Sequence, residues 1–271
     1  MSNMKIATSV LLISVLAAAH ASELVLTPKG YWPKSCVHEI ESFSEVEKLD
    51  NEVLKVRSPD GQVRMIETCK EEIPRGDSGW IVYTYYDASG FTSFNGTWNV
   101  PPEPTQQNDQ TVFFFTGLEN AAGNEIIQPV LQWGKSAAGG AKYWAVANWV
   151  VTSGGQALYS KLVQVEDGNT IFGYMVQSGS GWLVGATING ANPTDITVSK
   201  LSAQTFSSVT LEAYNILNCN NYPNGGSITF TGLVEENQGQ VVSPTWASTA
   251  RYSSCGEKAE IVSPSEVVLN Y

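Results

Sequence analysis

The sequence has 271 residues, of which 15 are basic and 26 acidic, so its formal net charge is −11 at neutral pH. So few Lys and Arg residues argue against nucleic acid or an anionic membrane as a partner, because both carry negative charge. The same surplus of carboxyl groups suits an acidic medium, where their charge and mutual repulsion fall. The length allows one large domain with a small extra segment, and we expect a monomer.

Residues 1–21 have the pattern of a secretory signal peptide. Lys5 precedes an apolar run over 6–18, and Ala19-His20-Ala21 supplies a cleavage site of small residues. The run is too short to span a bilayer comfortably. We therefore expect the mature chain to begin at Ser22 and the protein to be secreted to the extracellular space.

The segment 22–76 differs in composition from the rest, since it holds eight of the fifteen basic residues. Pro59-Asp60-Gly61 predicts a turn, because Pro fixes φ at the first central position and Gly accepts a positive φ. Residues 45–54 fit either one or two helical turns or a strand. Residues 71–76 contain Pro and Gly and predict a linker into the main domain, 77–271.

From residue 80 onward the sequence predicts strands, as β-branched or aromatic runs bounded by turn residues. Their even spacing, with no convincing amphipathic helix, indicates a sandwich or a barrel. We predict an all-β fold of two large antiparallel sheets packed face to face, of jelly-roll or concanavalin-like type. The predicted strands cover residues 82–86, 96–100, 111–116, 126–133, 143–152, 159–165, 170–177, 182–188, 194–199, 208–216 and 227–231.

Four cysteines in an exported chain predict a disulfide framework. Of the three pairings, we favour Cys36–Cys69 and Cys219–Cys255, because each pair flanks one contiguous segment. Metal binding is disfavoured, since the sequence has no CxxC spacing and only His38 remains after the signal peptide. The lack of further histidines also argues against Ser/His/Asp and Cys/His sites. An enzyme of this sequence would work with carboxylates, amides and hydroxyls.

Asn95-Gly96-Thr97 is an N-glycosylation sequon, which is used only in a cell that glycosylates.

The segment 22–76 is either a pro-segment or a permanent N-terminal subdomain linked by a disulfide. As a pro-segment, its basic residues would pair with carboxylates near neutral pH and release when acid protonates them.

Two amides stand out in the strand predicted at 126–133. Gln128 and Gln132 point to one face and the larger apolar residues to the other, which should meet the core. A buried amide without a partner costs roughly 1–3 kcal/mol. The two glutamines therefore either belong to a site or lie on a wet outer face. Pro129 predicts a bulge or an edge position.

A lone carboxyl stands out in the strand predicted at 208–216. Thr210, Glu212 and Tyr214 share one face, and no other charge lies in this strand. On a sheet face of uncharged groups, Glu212 needs a hydrogen-bond partner or a raised pKa. The alternative is that it points to water.

Aromatic residues are abundant in the predicted strands. They fit either a groove for a peptide or a sugar or the core of a sandwich, and both uses remain open. The residues concerned are Trp98, Trp133, Tyr143, Trp144, Trp149, Trp182 and Tyr214.

The order of these motifs resembles that of the eqolisin family of glutamic peptidases, which are secreted acid endopeptidases with a β-sandwich fold. The likeness spans about residues 90–231 and depends on order and spacing. Two positions depart from the family pattern: Asn148 stands where an acidic residue is common, and Glu119 where Asp is frequent. The matching motifs are Gly96-Thr97-Trp98-Asn99-Val100-Pro101, Phe114-Phe115-Thr116-Gly117-Leu118-Glu119, Ile126-Ile127-Gln128, the run 143–151, Leu211-Glu212-Ala213-Tyr214 and Ile228-Thr229-Phe230-Thr231.

The resemblance implies a catalytic pair and a polypeptide substrate, with no metal or cofactor. Glu212 would take a proton from water and return one to the leaving amine, while Gln128 would donate to the oxyanion. Gln132 is the rival for the amide role. The residues expected to contact an extended substrate are Trp144, Trp149, Gln132, Glu119 and Tyr214.

Two other functions fit the same sequence. A lectin-like, carbohydrate-binding sandwich would use the same fold, aromatic groove and secretion. A structural or host-interaction protein would have no site at all. The test between them is whether Gln128 and Glu212 face each other on one sheet.

Overall fold

The computed structural model describes residues 22–74 and 79–271. The predicted signal peptide, 1–21, and residues 75 and 76 of the predicted linker lie outside this part of the chain. The described residues form strands and two short 3₁₀ helices, Lys34–Cys36 and Cys219–Asn221. None of the helices described is long and apolar enough to cross a membrane.

The strands, in chain order, are β1 Leu24–Thr27, β2 Gly30–Pro33, β3 Val37–Ile40, β4 Ser44–Lys48, β5 Leu54–Arg57, β6 Val63–Ile66, β7 Trp80–Asp87, β8 Phe91–Asn99, β9 Thr111–Asn120, β10 Ile126–Trp133, β11 Trp144–Val151, β12 Ala157–Ser160, β13 Val163–Val165, β14 Thr170–Ser178, β15 Gly181–Ile188, β16 Ala191–Ser199, β17 Gln204–Tyr214, β18 Ser227–Asn237, β19 Gln240–Val242, β20 Ala247–Ala250, β21 Lys258–Ser263 and β22 Glu266–Asn270.

Two large sheets form the sandwich. Sheet I has nine strands of the described chain, in the order β20-β7-β17-β9-β10-β11-β12-β3, with β13 also paired to β11. Sheet II has eleven strands within the same residues, in the order β21-β22-β18-β8-β14-β15-β16-β4-β5-β6, with β19 paired to β18. The predicted two-sheet, all-β sandwich is confirmed. The pairings among β7–β22 are antiparallel, as predicted, whereas β3 and β4 of the N-terminal segment join the two sheets in parallel, next to β12 and β16.

The main core lies between the two sheets, because its buried side chains come from both. Trp98 and Phe230 of sheet II pack with ring centres 5.0 Å apart. Phe114 and Trp144 of sheet I contribute from the opposite side, 6.0 Å apart. Aromatic and β-branched residues on the inner faces of both sheets thus supply most of the apolar burial.

Pro129 lies in the middle of sheet I, and no register shift is present beside it, so the predicted bulge or edge position is wrong. Pairing between β10 and β11 continues through Pro129, whereas pairing between β10 and β9 stops after Ile127 and resumes at Val130. The gap accommodates a residue that has no N–H to donate. Gly173 of sheet II leaves room for the ring, since a Cβ there would lie 2.7 Å from Pro129 Cγ.

The N-terminal segment is built into both sheets. Strand β3 pairs with β12 at one edge of sheet I, and β4 pairs with β16 and extends sheet II through β5 and β6. Residues 45–54, left open by the sequence, form most of β4, a turn and the start of β5. The predicted turn at Pro59-Asp60-Gly61 is confirmed, with Gly61 at φ 85°.

Both predicted disulfides are confirmed. The Cα atoms of Cys36 and Cys69 are 5.2 Å apart, and those of Cys219 and Cys255 are 5.3 Å apart. Two such bonds fit an oxidising, extracellular compartment. Asn95 is half-buried within β8, and its glycosylation stays a prediction.

Candidate functional site

The face of sheet I that points away from sheet II, which we call the outer face, is covered by the β1–β2 hairpin. Leu26 and Trp32 of the hairpin pack into a second apolar cluster with Phe113 and Phe115 of β9. The Trp32 indole N–H donates to the Gly155 carbonyl at 2.8 Å. The centre of sheet I is therefore buried on both sides, since every residue of β9, β10 and β11 is buried.

Gln128 lies fully buried on the outer face and binds the turn of this hairpin. Its Nε2 donates to the main-chain carbonyl oxygen of Pro28 at 2.8 Å. Its Oε1 has no hydrogen-bond partner among the described residues. The prediction that the glutamines of β10 face away from the core is confirmed, because Ile127, Leu131 and Trp133 lie between the sheets.

Lys29, the next residue of the same turn, binds Glu119. Its Nζ lies 2.7 Å from Glu119 Oε2, and both side chains are largely buried. Nζ also lies 5.6 Å from the centre of the Trp80 ring. Glu119 pairs with Ile126 on β10, so it is a diagonal neighbour of Gln128, with Cβ atoms about 7 Å apart in such a placement. The turn thus contacts an amide and a carboxylate that are close on the sheet.

Glu212 is fully buried on the outer face, where Tyr214 Oη donates a hydrogen bond to Oε1. The Gly79 N–H in turn donates to Tyr214 Oη at 3.1 Å. Burial raises the pKa of Glu212 to about 8, although Tyr214 and Lys29 oppose the shift. Within the described part of the chain, Glu212 Oε2 and Trp80 Nε1 have no hydrogen-bond partner.

The register of sheet I does not set Gln128 level with Glu212, and the catalytic role predicted for this pair stays a prediction. Glu212 pairs with Phe113 on β9, whereas the register of β10 sets Gln128 level with Gly117, four residues further along that strand. Such an offset corresponds to about 13 Å along the strand, and the two residues are also two strands apart, about 10 Å. On the same face of β9, Phe115 lies between Phe113, which is level with Glu212, and Gly117, which is level with Gln128.

Ser208 occupies the position on β17 that is level with Gln128. It pairs with Gly117, where an added Cβ would lie 3.3 Å from Ser208 Oγ. Thr210 Oγ1 donates to Ser208 Oγ at 3.1 Å. The direct neighbours of Gln128 on this face are apolar, since it pairs with Trp149 on β11 and lies between Ile126 and Val130 on its own strand. In the described residues, no group of three or more His, Cys, Asp or Glu side chains is placed to hold a metal ion.

Gln132, the rival amide, lies level with Glu212, because both residues pair with Phe113 of β9, and its side chain also binds the turn that follows β10. Its Nε2 donates to the carbonyl oxygens of Gly134 at 2.8 Å and Gly139 at 3.0 Å. Ser136 Oγ donates to its Oε1 at 2.7 Å. Both polar atoms of the amide, Nε2 and Oε1, are thus hydrogen-bonded to the segment 134–139.

The two tryptophans expected to contact substrate are both buried. Trp144 lies between the sheets, with its ring centre 5.4 Å from that of Trp133, so the prediction of a groove contact is wrong. Trp149 is on the outer face but fully buried, with its ring 5.0 Å from that of Tyr159. Asn148 faces inward and donates to the Thr194 carbonyl at 2.9 Å. Of the predicted contact residues, Glu119 borders a cavity on the outer face.

Two cavities flank the hairpin at opposite ends of β9. One, of about 740 Å³, is lined by residues that include Tyr31, Gln110, Trp133 and Asn215. The other, of about 450 Å³, is lined by residues that include Lys29, Trp80, Glu119 and Phe206. The turn of the hairpin lies between these two spaces.

Sequence reasoning missed Pro28, Lys29 and Trp80. The Pro28-Lys29-Gly30 triplet is a turn signal, and Gly30 does adopt a positive φ of 105°. No local pattern, however, indicates that a turn will dock on a residue 100 positions away.

Comparison with known proteins supports the fold through structure and not through sequence. No protein-family model matches the chain, and no curated protein matches its sequence. Scytalido-glutamic peptidase, solved with a peptide-based transition-state analogue, matches with a TM-score of 0.56 at 14% identity, over 72% of this chain and 98% of its own. SCP-B, a member of the eqolisin family of peptidases solved with the tripeptide Ala-Ile-His, matches with a TM-score of 0.52 at 15% identity, over the same shares. The chain therefore has the β-sandwich fold of these peptidases.

Proposed function

We propose that this protein is a secreted endopeptidase that binds an extended polypeptide on the outer face of sheet I and hydrolyses it in mildly acidic solution. The observation that carries the proposal is the hydrogen bond from Gln128 Nε2 to the carbonyl oxygen of Pro28. A buried side-chain amide that holds a main-chain carbonyl is suited to stabilise the oxyanion formed when that carbonyl is attacked. The peptide ligands of the two structural neighbours support the same substrate class.

The proposed reaction is direct attack of water on the peptide carbonyl. Glu119, as carboxylate, accepts a proton from the attacking water, and the new C–O bond places negative charge on the carbonyl oxygen. Gln128 donates its N–H to that oxygen. The C–N bond then breaks as Glu119 returns the proton to the leaving nitrogen, so that one water is consumed and one carboxyl and one amine form.

Glu119 is proposed in place of the Glu212 predicted from the sequence because of the register of the sheet. A general base must lie within hydrogen-bond reach of the water that attacks the bound carbonyl. Glu119 is a diagonal neighbour of Gln128, and it already binds the residue that follows Pro28. Glu212 is level with Phe113 of β9, four residues away from the position level with Gln128, and it is enclosed by aromatic side chains. We propose that Glu212 supports the site without taking part in proton transfer.

The test compares three single variants of the mature protein with an internally quenched peptide at mildly acidic pH, in the presence of pepstatin and EDTA. We expect Gln128→Ala to lower kcat about 10²–10³-fold. We expect Glu119→Gln to lower it about 10²–10⁴-fold. Glu212→Gln should change kcat by less than about tenfold, since no proton transfer is assigned to it.

Two outcomes would contradict the proposal in different ways. Loss of cleavage in Glu212→Gln, with Glu119→Gln unaffected, would restore the pair predicted from the sequence. No cleavage by the unaltered protein, together with binding on a glycan array, would favour the lectin-like alternative.

A further inference from the structure

The hairpin turn meets both proposed catalytic side chains at once. Within two consecutive residues, the Pro28 carbonyl accepts from Gln128 and the Lys29 ammonium pairs with Glu119. These are the two groups that a substrate carbonyl and its attacking water would need. We propose that the tip of the β1–β2 hairpin is an intramolecular occupant of the peptide-binding site, which a substrate must displace before hydrolysis; this inference rests on the proposed function.

The tip is held differently from the base of the hairpin. At the base, Leu26 and Trp32 pack in the apolar cluster of the outer face, and the Ala137 N–H donates to the Leu26 carbonyl at 2.7 Å. At the tip, the contacts are polar: the Gln128 amide and the Glu119 carboxylate. Polar contacts can be exchanged for those of a peptide, whereas the apolar base keeps the hairpin attached while its tip moves aside.

One cavity borders the tip of the hairpin and a second borders its strands. The 740 Å³ cavity borders one part of the hairpin through Tyr31, and the 450 Å³ cavity borders the tip through Lys29. They lie towards opposite ends of β9 and β17, since Asn215 lines the first and Phe206 the second. A polypeptide that replaced the tip would extend into the 450 Å³ cavity, which borders Lys29.

The structure fits a protein that limits its own activity by competition. A resident ligand raises the apparent KM by a factor of one plus the ratio of occupied to vacant protein, and it leaves kcat unchanged once substrate has displaced it. A substitution that weakens the binding of the tip to the site should therefore lower KM and leave kcat unchanged. A general loss of structure would instead lower kcat.

The experiment compares Lys29→Gln with the unaltered protein in peptide hydrolysis. Loss of the ion pair to Glu119 should lower KM about tenfold with kcat within about twofold. The control is Lys55→Gln, which removes a charge from the same N-terminal segment at an exposed pair with Glu47, 3.9 Å apart; its KM should equal that of the unaltered protein. An unchanged or increased KM in Lys29→Gln, with cleavage intact, would overturn the inference and leave the proposed function standing.

A second measurement decides the inference if none of the proteins cleaves. Hydrogen exchange of residues 24–33 is followed with and without the tripeptide Ala-Ile-His, and its affinity is measured by calorimetry. We expect tighter binding to Lys29→Gln than to the unaltered protein, with faster exchange at the tip on binding. Binding that leaves exchange at 24–33 unchanged, or no binding to either protein, would overturn it.

Discussion

At the scale of single residues, Glu212 depends on Tyr214 for its polar contact. Tyr214 Oη joins the buried Glu212 carboxyl to the Gly79 N–H. Tyr214→Phe removes the hydroxyl and leaves both groups short of a partner, so we expect the free energy of unfolding to fall by about 1–3 kcal/mol, measured by urea denaturation.

The matched control for this variant is Tyr31→Phe. Tyr31 packs edge-on against Tyr214 with ring centres 5.7 Å apart, and its side chain is 43% exposed, so that loss of its hydroxyl affects no buried group. Equal destabilisation by the two substitutions would show that the bond to Glu212 contributes nothing specific.

The sequence predicted the faces of these residues correctly and left open which glutamine lies level with Glu212, a position that the register gives to Gln132. Alternation along a strand places Gln128 on the outer face of sheet I, because every second residue points the same way. It does not determine the register between strands that are distant in the chain. Ser208, and not Glu212, therefore lies level with Gln128, a difference of four residues that preserves the alternation.

At the scale of whole elements, a buried ion pair attaches the N-terminal segment to the sandwich. Lys48 Nζ of β4 lies 2.7 Å from Glu125 Oε1, and the Glu125 side chain is fully buried. Burial opposes ionisation of Glu125, but hydrogen bonds from Lys48, the Ser202 N–H and Ser153 hold its pKa below the ordinary value. The carboxylate is therefore charged, and it depends on Lys48.

Replacement of Lys48 should destabilise the protein strongly. Lys48→Met leaves a buried negative charge without its cation, so we expect a loss of about 3–5 kcal/mol in urea denaturation at neutral pH. The double variant Lys48→Met/Glu125→Gln should recover part of the loss. Lys55→Met, at an exposed pair, is the control and should change stability by less than about 1 kcal/mol. A similar effect at both lysines would contradict the assigned role.

Strand β11 shows why the aromatic residues could not be assigned from the sequence. Trp144, Val146 and Val150 face sheet II, and Ala147 and Trp149 face the other way. Both faces are apolar because the hairpin covers the outer one. A strand buried on both sides reads as a continuous apolar run, so its pattern does not show which face meets the main core.

At the scale of the whole molecule, buried carboxyls couple stability to pH. Glu235 of β18 is 1% exposed, and neither of its carboxylate oxygens has a hydrogen-bond partner in the part of the chain described. Burial raises the pKa of Glu235 to about 7, against an opposing effect of Ser207. Glu212 has a pKa raised in the same direction.

The sign of the effect follows from proton binding. Between the ordinary carboxyl pKa of 4.5 and about 7, the folded protein keeps a proton on Glu235 that the unfolded chain releases. The contribution of Glu235 to the free energy of unfolding is therefore fully present below pH 4.5. It is lost as pH rises towards 7, which lowers the free energy of unfolding by about 3 kcal/mol. We expect Glu235→Gln to flatten this decline in denaturation measured at pH 4.5 and 7.5.

Glu236 provides the control, because it is the adjacent residue of β18 and is only half-buried. Glu236→Gln should retain the decline of the unaltered protein. If Glu235→Gln lost as much stability as the unaltered protein over this range, the decline would have another origin.

The parallel strands β3 and β4 have a consequence for how such a protein could be controlled. Each covers a strand, β12 or β16, that would otherwise end its sheet. Removal of residues 22–74 would expose β12 and β16 as edge strands with unpaired main-chain N–H and C=O groups. Such edges promote aggregation. With these strands in place, the proposed blocking turn stays part of the folded molecule, and the concentration of competing peptide would set the fraction of molecules in which the site is open.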